Sequence, residues 1–225
     1  MDSFSILGDS ISTYQGYNPP NFSVYYDPAR CIQHGIQSVQ DTWWARVIQH
    51  YHGNLSANNS YSGSKVSGRS FPAANQMARL RYLKAHDVPD FLLVYLGCND
   101  FGYGVPLNPS KFHFRKNAEY FDDAYDILLK NLKKLLPGTA IICATLLKTY
   151  MANNAAWSFP ENFNGHTAFT EYNDAIRRAC HKNAVCLADL SSLNLKYETL
   201  DGTHPTAQGH QEIACAWIQA LAGLK

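Results

Sequence analysis

Short apolar runs bounded by turn residues alternate along this chain with longer segments whose apolar residues recur three and four positions apart. The runs lie at Phe4 to Leu7, near Asn54 to Ala57, at Phe91 to Leu96, at Ala140 to Thr145 and at Ala184 to Leu187. They predict strands, and the segments between them predict helices, the alternation expected of a mostly parallel sheet. Phe91 to Leu96 is apolar at nearly every position, so it reads as a central strand covered on both faces. The loop after it then lies at the carboxyl edge of the sheet.

The helical segments carry their own start and stop signals. Asp41 or Thr42 caps a helix running through Trp43, Val47 and Ile48, and Ala73 to Lys84 and Asn117 to Leu136 have helical spacing. Pro137-Gly138 ends the latter. Thr170 to Asn183 continues the series, and Pro205 to Leu221 forms the last helix, with proline at a start position that tolerates it. His204 therefore belongs to the loop entering that helix. Two stretches have no period: Ile11 to Gln40 and Leu147 to Gly165. Both are rich in aromatic residues, Tyr14, Tyr17, Phe22, Tyr25 and Tyr26 in the first and Tyr150, Trp157, Phe159 and Phe163 in the second. That density argues against disorder and for lids or binding loops.

Length and composition narrow the picture. The 225 residues show no linker and are read as one domain, 1–225. Lys plus Arg (19) nearly balances Asp plus Glu (18) without runs of either sign, which leaves no footprint for nucleic acid or an anionic membrane. No stretch approaches a membrane span. Met1 leads straight into the first strand, so the chain as given is expected in the cytoplasm unless an upstream signal has been removed. Cys31, Cys98, Cys143, Cys180, Cys186 and Cys215 lack C-x-x-C spacing and read as buried free thiols. Asn21, Asn54 and Asn58 begin N-x-S sequons, which carry little weight without a signal peptide. Neither metal nor cofactor is expected: H-E-x-x-H is absent, and no Gly-rich phosphate loop or basic cluster supports phosphate-ester chemistry.

The chemistry sits at the two ends of the chain. Gly8-Asp9-Ser10 closes the first strand, and Asp201-Gly-Thr-His204-Pro205 stands close to the last helix. A serine needs a neutral imidazole to take its proton and a carboxylate to hold that imidazole in the right tautomer. A turn of this length can set Asp201 beside Nδ1 of His204 and leave Nε2 facing Ser10; Asp201 can equally bond its own backbone in a simple turn. Donors for an oxyanion are available in Asn59-Ser-Tyr-Ser-Gly63-Ser64 and in Gly97-Cys98-Asn99-Asp100, each of which also reads as ordinary turn chemistry.

These four segments, together and in this order, resemble the SGNH or GDSL hydrolase superfamily over nearly the whole chain. The resemblance implies a three-layer α/β/α sandwich with a flavodoxin-like parallel sheet. It implies Ser10 as nucleophile, His204 as general base and Asp201 as its orienting partner, with an oxyanion hole from the Ser10 and Gly63 backbone N–H groups and the Asn99 side chain. Ile11 replaces the leucine of the family's tetrad, and the block around Gly63 matches loosely, so Gly68 is an alternative donor. No G-x-S-x-G elbow is present, against the larger α/β-hydrolase fold.

Superfamily membership implies an acyl ester rather than a particular molecule. The aromatic loops, with polar tips on apolar faces, suit a sugar ring. The expected activity is hydrolysis of short-chain acyl esters, with carbohydrate O-deacetylation favoured. The alternatives are a lipase- or thioesterase-type acylhydrolase and a non-catalytic carbohydrate-binding protein on the same scaffold. Packing of the loops onto the domain is the competing role for their aromatics. Trp43 and Trp44 are expected to support the core, and His34, His50, His52, His113 and His166 show no ligand-like arrangement and receive no role.

Overall fold

A computed structural model describes residues 1–84, 88–109, 116–162 and 167–223. Five strands, β1 (Ser3–Gly8), β2 (Asn54–Asn58), β3 (Phe91–Tyr95), β4 (Ala140–Ala144) and β6 (Cys186–Ala188), form one sheet in the order β2-β1-β3-β4-β6. Every pairing in it is parallel. Four of the five β3 residues are buried, so its continuous apolar run is covered on both faces.

The helices are α1 (Pro28–Gln33), α2 (Trp43–His50), α3 (Met77–Leu80), α4 (Cys98–Gly102), α5 (Phe121–Leu135), α6 (Phe169–Asn183) and α7 (Ala207–Ala222). Pairs α2/α7 and α5/α6 pack side by side. Right-handed crossovers that leave β1 in opposite directions put these pairs on opposite faces of the sheet. The result is a three-layer α/β/α sandwich. Its strand order reverses at β1, so a crevice opens between the carboxyl ends of β1 and β3.

Several boundaries differ from the expectation. Thr42, not Asp41, caps α2, its side chain accepting from the Ala45 amide. The segment Ala73 to Lys84 is helical only from Met77, with a short 3-10 turn, Arg81–Lys84, completing it. The preceding stretch is instead committed to side-chain bonds, Asn75 donating to the Val66 and Gly68 carbonyls. Neither aperiodic stretch is structureless. The first contains α1, and the second opens with β5 (Lys148–Met151), which pairs in parallel with β7 (Lys196–Thr199) in a separate two-stranded sheet. Each strand is only four residues long, too short for alternation to show.

The cysteines are all free, but Cys186 and Cys215 are exposed rather than buried, the first on an edge strand. Trp43 and Trp44 are buried as expected, Trp43 stacking on Trp217 of α7 with ring centroids 5.3 Å apart. Phe163, His113 and His166 lie outside the described residues. Among the described residues no helix is long and apolar enough to cross a membrane, and no cluster of three His, Cys, Asp or Glu side chains could hold a metal ion.

Candidate active site

Ser10 is presented by a turn that the strand itself forces. At the end of β1, Asp9 caps a single 3-10 turn, Ser10–Ser12, its Oδ1 accepting from the Ile11 amide at 3.0 Å. The turn doubles back so tightly that a Cβ on Gly8 would fall 2.4 Å from Ser12 Oγ, which is why glycine stands there. Ser12 is held from the other side by the indole N–H groups of Trp43 and Trp44, each 3.1 Å away. Beneath the turn the guanidinium of buried Arg79 donates to the carbonyls of Gly8 and Asn59, tying the ends of β1 and β2 together. Burial pushes the Asp9 carboxyl up to about 6 and brings Arg79 down to about 9.

The late loop brings its carboxylate and imidazole to the same place. Asp201 Oδ1 accepts from the amides of Thr203 (2.9 Å) and His204 (2.8 Å), closing the turn. Asp201 Oδ2 lies 2.7 Å from His204 Nδ1, and His204 Nε2 lies 3.0 Å from Ser10 Oγ. Because an ionised carboxylate only accepts, Nδ1 carries the ring proton and Nε2 is left to accept from the serine hydroxyl. Burial tends to raise the Asp201 carboxyl, but hydrogen bonds from the His204 ring, the His204 amide and the Thr203 amide outweigh it and hold the group well below the usual carboxylate range. Both readings of the turn thus hold at once, since Asp201 bonds its own backbone with one oxygen and the imidazole with the other.

Gly202, between them, has φ +84°, a left-handed conformation suited to glycine. Its carbonyl accepts from Thr149 Oγ1 of β5, and Tyr197 of β7 donates to the Thr203 carbonyl, both at 2.9 Å. The small second sheet is therefore the platform for this loop.

The oxyanion candidates separate clearly. Gly63 has φ +78° and open space where a Cβ would point, and the amides of Gly63 and Ser10 donate to no described residue. The Gly68 amide is taken, donating to the Ala118 carbonyl at 2.7 Å, so Gly68 is not a substitute donor. Asn99, in the first turn of α4, donates through Nδ2 to the Ser64 carbonyl at 3.0 Å, which leaves its second amide hydrogen free to donate. Buried Asp100 next to it accepts from the amides of Val66 (2.7 Å) and Ser67 (2.9 Å). These bonds fasten the segment after β2 to the helix after β3.

Asn99 and His204 face a cleft of about 530 Å³ whose walls include Tyr103, Trp157 and Phe159. The two aromatic stretches play different parts here. In the first, Tyr26 is fully buried, and Phe22 packs against Tyr61, Phe71 and Tyr82, so these rings pack the loop down. In the second, Trp157 and Phe159 reach the cleft, whereas Tyr150 donates to Glu212 on α7.

Two neighbours of the site are not assigned to it from sequence, where Tyr25 reads only as one of the loop aromatics. Tyr25 stacks on the His204 ring, and His34, which sequence left without a role, sits behind it with Nε2 3.2 Å from the Tyr25 hydroxyl.

Parallel-sheet topology with a hydrogen-bonded Ser, His and Asp at the carboxyl edge defines the class as a hydrolase of the SGNH α/β/α type. The model of the GDSL-like lipase/acylhydrolase family matches residues 2–221, and the chain belongs to that family. It is similar to the crystal structure of a protein assigned as a GDSL-like lipase from Bacteroides ovatus, at 24% identity with a TM-score of 0.74, covering 100% of this chain and 99% of that one. A second such structure, from Bacteroides uniformis, is 26% identical with a TM-score of 0.73, covering 99% and 96% of the two chains. Over 77% of its length the chain is 23% identical to a multidomain esterase of Ruminococcus flavefaciens, and it spans 21% of the length of that curated relative.

Proposed function

We propose that the protein is a serine esterase that removes short acyl groups, acetyl above all, from the hydroxyls of a carbohydrate. The observation that carries this reading is the unbroken hydrogen-bonded run from Ser10 Oγ through His204 to Asp201. In the mechanism it supports, the Ser10 hydroxyl attacks the ester carbonyl as its proton passes to His204 Nε2. Asp201 stabilises the resulting imidazolium without taking the proton. The oxyanion receives hydrogen bonds from the Ser10 and Gly63 amides and the Asn99 side chain. His204 then protonates the departing alcohol. Water, deprotonated by the same imidazole, attacks the acyl group on Ser10 and releases the acid.

The cleft walls support a small acyl group on a sugar. Trp157 and Phe159 line the cleft with aromatic surface suited to the apolar C–H face of a pyranose, and exposed Tyr103 and Ser158 stand beside them as polar partners for hydroxyls. The test is release of p-nitrophenol from acetyl, butyryl and octanoyl esters, followed by acetate release from acetylated sugars, by the wild type and Ser10→Ala. Activity should fall with acyl length and drop by roughly 10⁴-fold or more without Ser10. Turnover indifferent to Ser10→Ala would end the serine-esterase reading, and turnover that rises with chain length would end the short-acyl one.

A further inference from the structure

The imidazole of His204 has a second neighbour besides Asp201. The Tyr25 ring lies parallel to it, centroids 3.5 Å apart with an angle of 5° between the planes. A face-to-face imidazole at that distance fills one side of the phenol, so the Arg30 guanidinium, 4.6 Å from the same centroid, takes the other side. At its tip the Tyr25 hydroxyl lies 3.3 Å from Asp201 Oδ2, the oxygen that holds His204, and 3.2 Å from His34 Nε2.

His34 is oriented in turn. Its Nδ1 lies 3.1 Å from the carbonyl of Pro205, which only accepts, so Nδ1 carries the proton and Nε2 of the neutral ring is an acceptor. Burial works against a charged His34, and burial also keeps the Tyr25 phenol protonated. A single phenol proton thus stands between two acceptors, Asp201 Oδ2 and His34 Nε2. Further bonds fix this layer to the loop: Tyr26 donates to the Pro205 carbonyl at 2.8 Å, and the Ala207 amide donates to the His34 carbonyl at 2.9 Å.

From this geometry we infer that Tyr25 is a positioning residue for the His204–Asp201 pair, its ring fixing the plane of the imidazole and its hydroxyl, held by His34, fixing Asp201. The inference rests on the esterase reading above. It gives part of the segment 11–40 a part in the chemistry in place of substrate contact. The stack also covers one face of His204, whose ring lines the cleft.

The experiment is steady-state kinetics with p-nitrophenyl acetate on wild type, Ser10→Ala, Tyr25→Phe, Tyr25→Ala, His34→Gln and the Tyr25→Phe/His34→Gln double variant, with thermal melts alongside. Tyr25→Phe keeps the ring and should lower kcat about three- to tenfold through the lost hydrogen bond. Tyr25→Ala frees the imidazole and should lower kcat about 10²-fold. KM should stay within about twofold in both, because neither group touches substrate. The double variant should lose clearly less than the product of the two single effects, since one of the two side-chain bonds of His34 runs through the hydroxyl that Phe lacks.

A Tyr25→Ala enzyme with kcat within twofold of wild type, a loss confined to KM, or full multiplication of the two single effects would overturn the inference. Those results with Ser10→Ala inactive would leave the esterase reading standing. Wild-type activity that does not need Ser10 would remove both.

Discussion

The Ser10 turn and the Asp201–His204 loop meet at one hydrogen bond, yet they are held in different settings. Ser10 is 4% exposed and lies in a turn fixed by the sheet: Gly8 admits the backbone, buried Arg79 clamps two strand ends, and two tryptophans brace Ser12. The Asp201 side chain is 44% exposed and sits in a surface loop, where side chains from distant segments hold it in place. The first end is fixed by a tight turn and hydrogen bonds buried in the core, the second by hydrogen bonds made at the surface. Damage to the turn should therefore appear first as lost stability, and damage to the loop as lost turnover in a protein that still folds.

Asp201→Asn is the sharpest test of that contrast. A carboxamide can donate to Nδ1 and reverse the tautomer, so kcat should fall by about 10⁴-fold while the melting temperature stays close to wild type. A variant that loses activity only because it unfolds would erase the distinction. Asn99→Ala removes an expected oxyanion donor outside both regions and should lower kcat by roughly 10²- to 10³-fold. Near-normal turnover in that variant would take Asn99 out of the site.

At the Ser10 turn the readout is stability against pH. Burial raises the Asp9 carboxyl from 3.8 to about 6, so between those values the folded protein keeps a proton that the unfolded chain has released. Its contribution to stability is complete below pH 3.8 and is lost as the pH rises through 6. The loss amounts to about 3 kcal/mol. Asp9→Asn cannot lose a proton, so urea midpoints at pH 4 and pH 7 should move in the variant's favour at the higher pH. Parallel curves for the two proteins would show that Asp9 is not desolvated in the fold.

Gly8→Ala carries the smallest expected effect. The new methyl meets Ser12 Oγ at 2.4 Å, and pushing Ser12 aside should cost about 1 to 3 kcal/mol, measured by thermal or urea unfolding. An unchanged stability would mean that the turn yields easily, and the difference between the two regions would vanish.

Much of this was legible in the residues before the fold was known. Strands that stay apolar over their whole length, such as Phe91–Tyr95, announce their burial directly. Asp201 and His204 are three positions apart, so their contact is local and a turn rule reaches it. The carboxyl-edge placement of Ser10, Gly63 and Asn99 follows from which residues end which strands. The sugar-facing part expected of the first aromatic stretch was not upheld for Tyr26 and Phe22, which pack inward. An aromatic residue in a loop looks the same in sequence whether it faces substrate or core.

By itself the sequence determined the alternation of strand and helix, the residue types able to do acyl chemistry, and the local turns that carry them. These are properties of neighbours along the chain, and periodicity or spacing records them. Tertiary structure alone decided that Gly68 spends its amide on Ala118, that β5 pairs with β7, and that Tyr25 and His34 close around a loop more than 150 residues away in sequence. Contacts of that kind depend on how the crossovers wind around the sheet, and no window along the chain contains both partners.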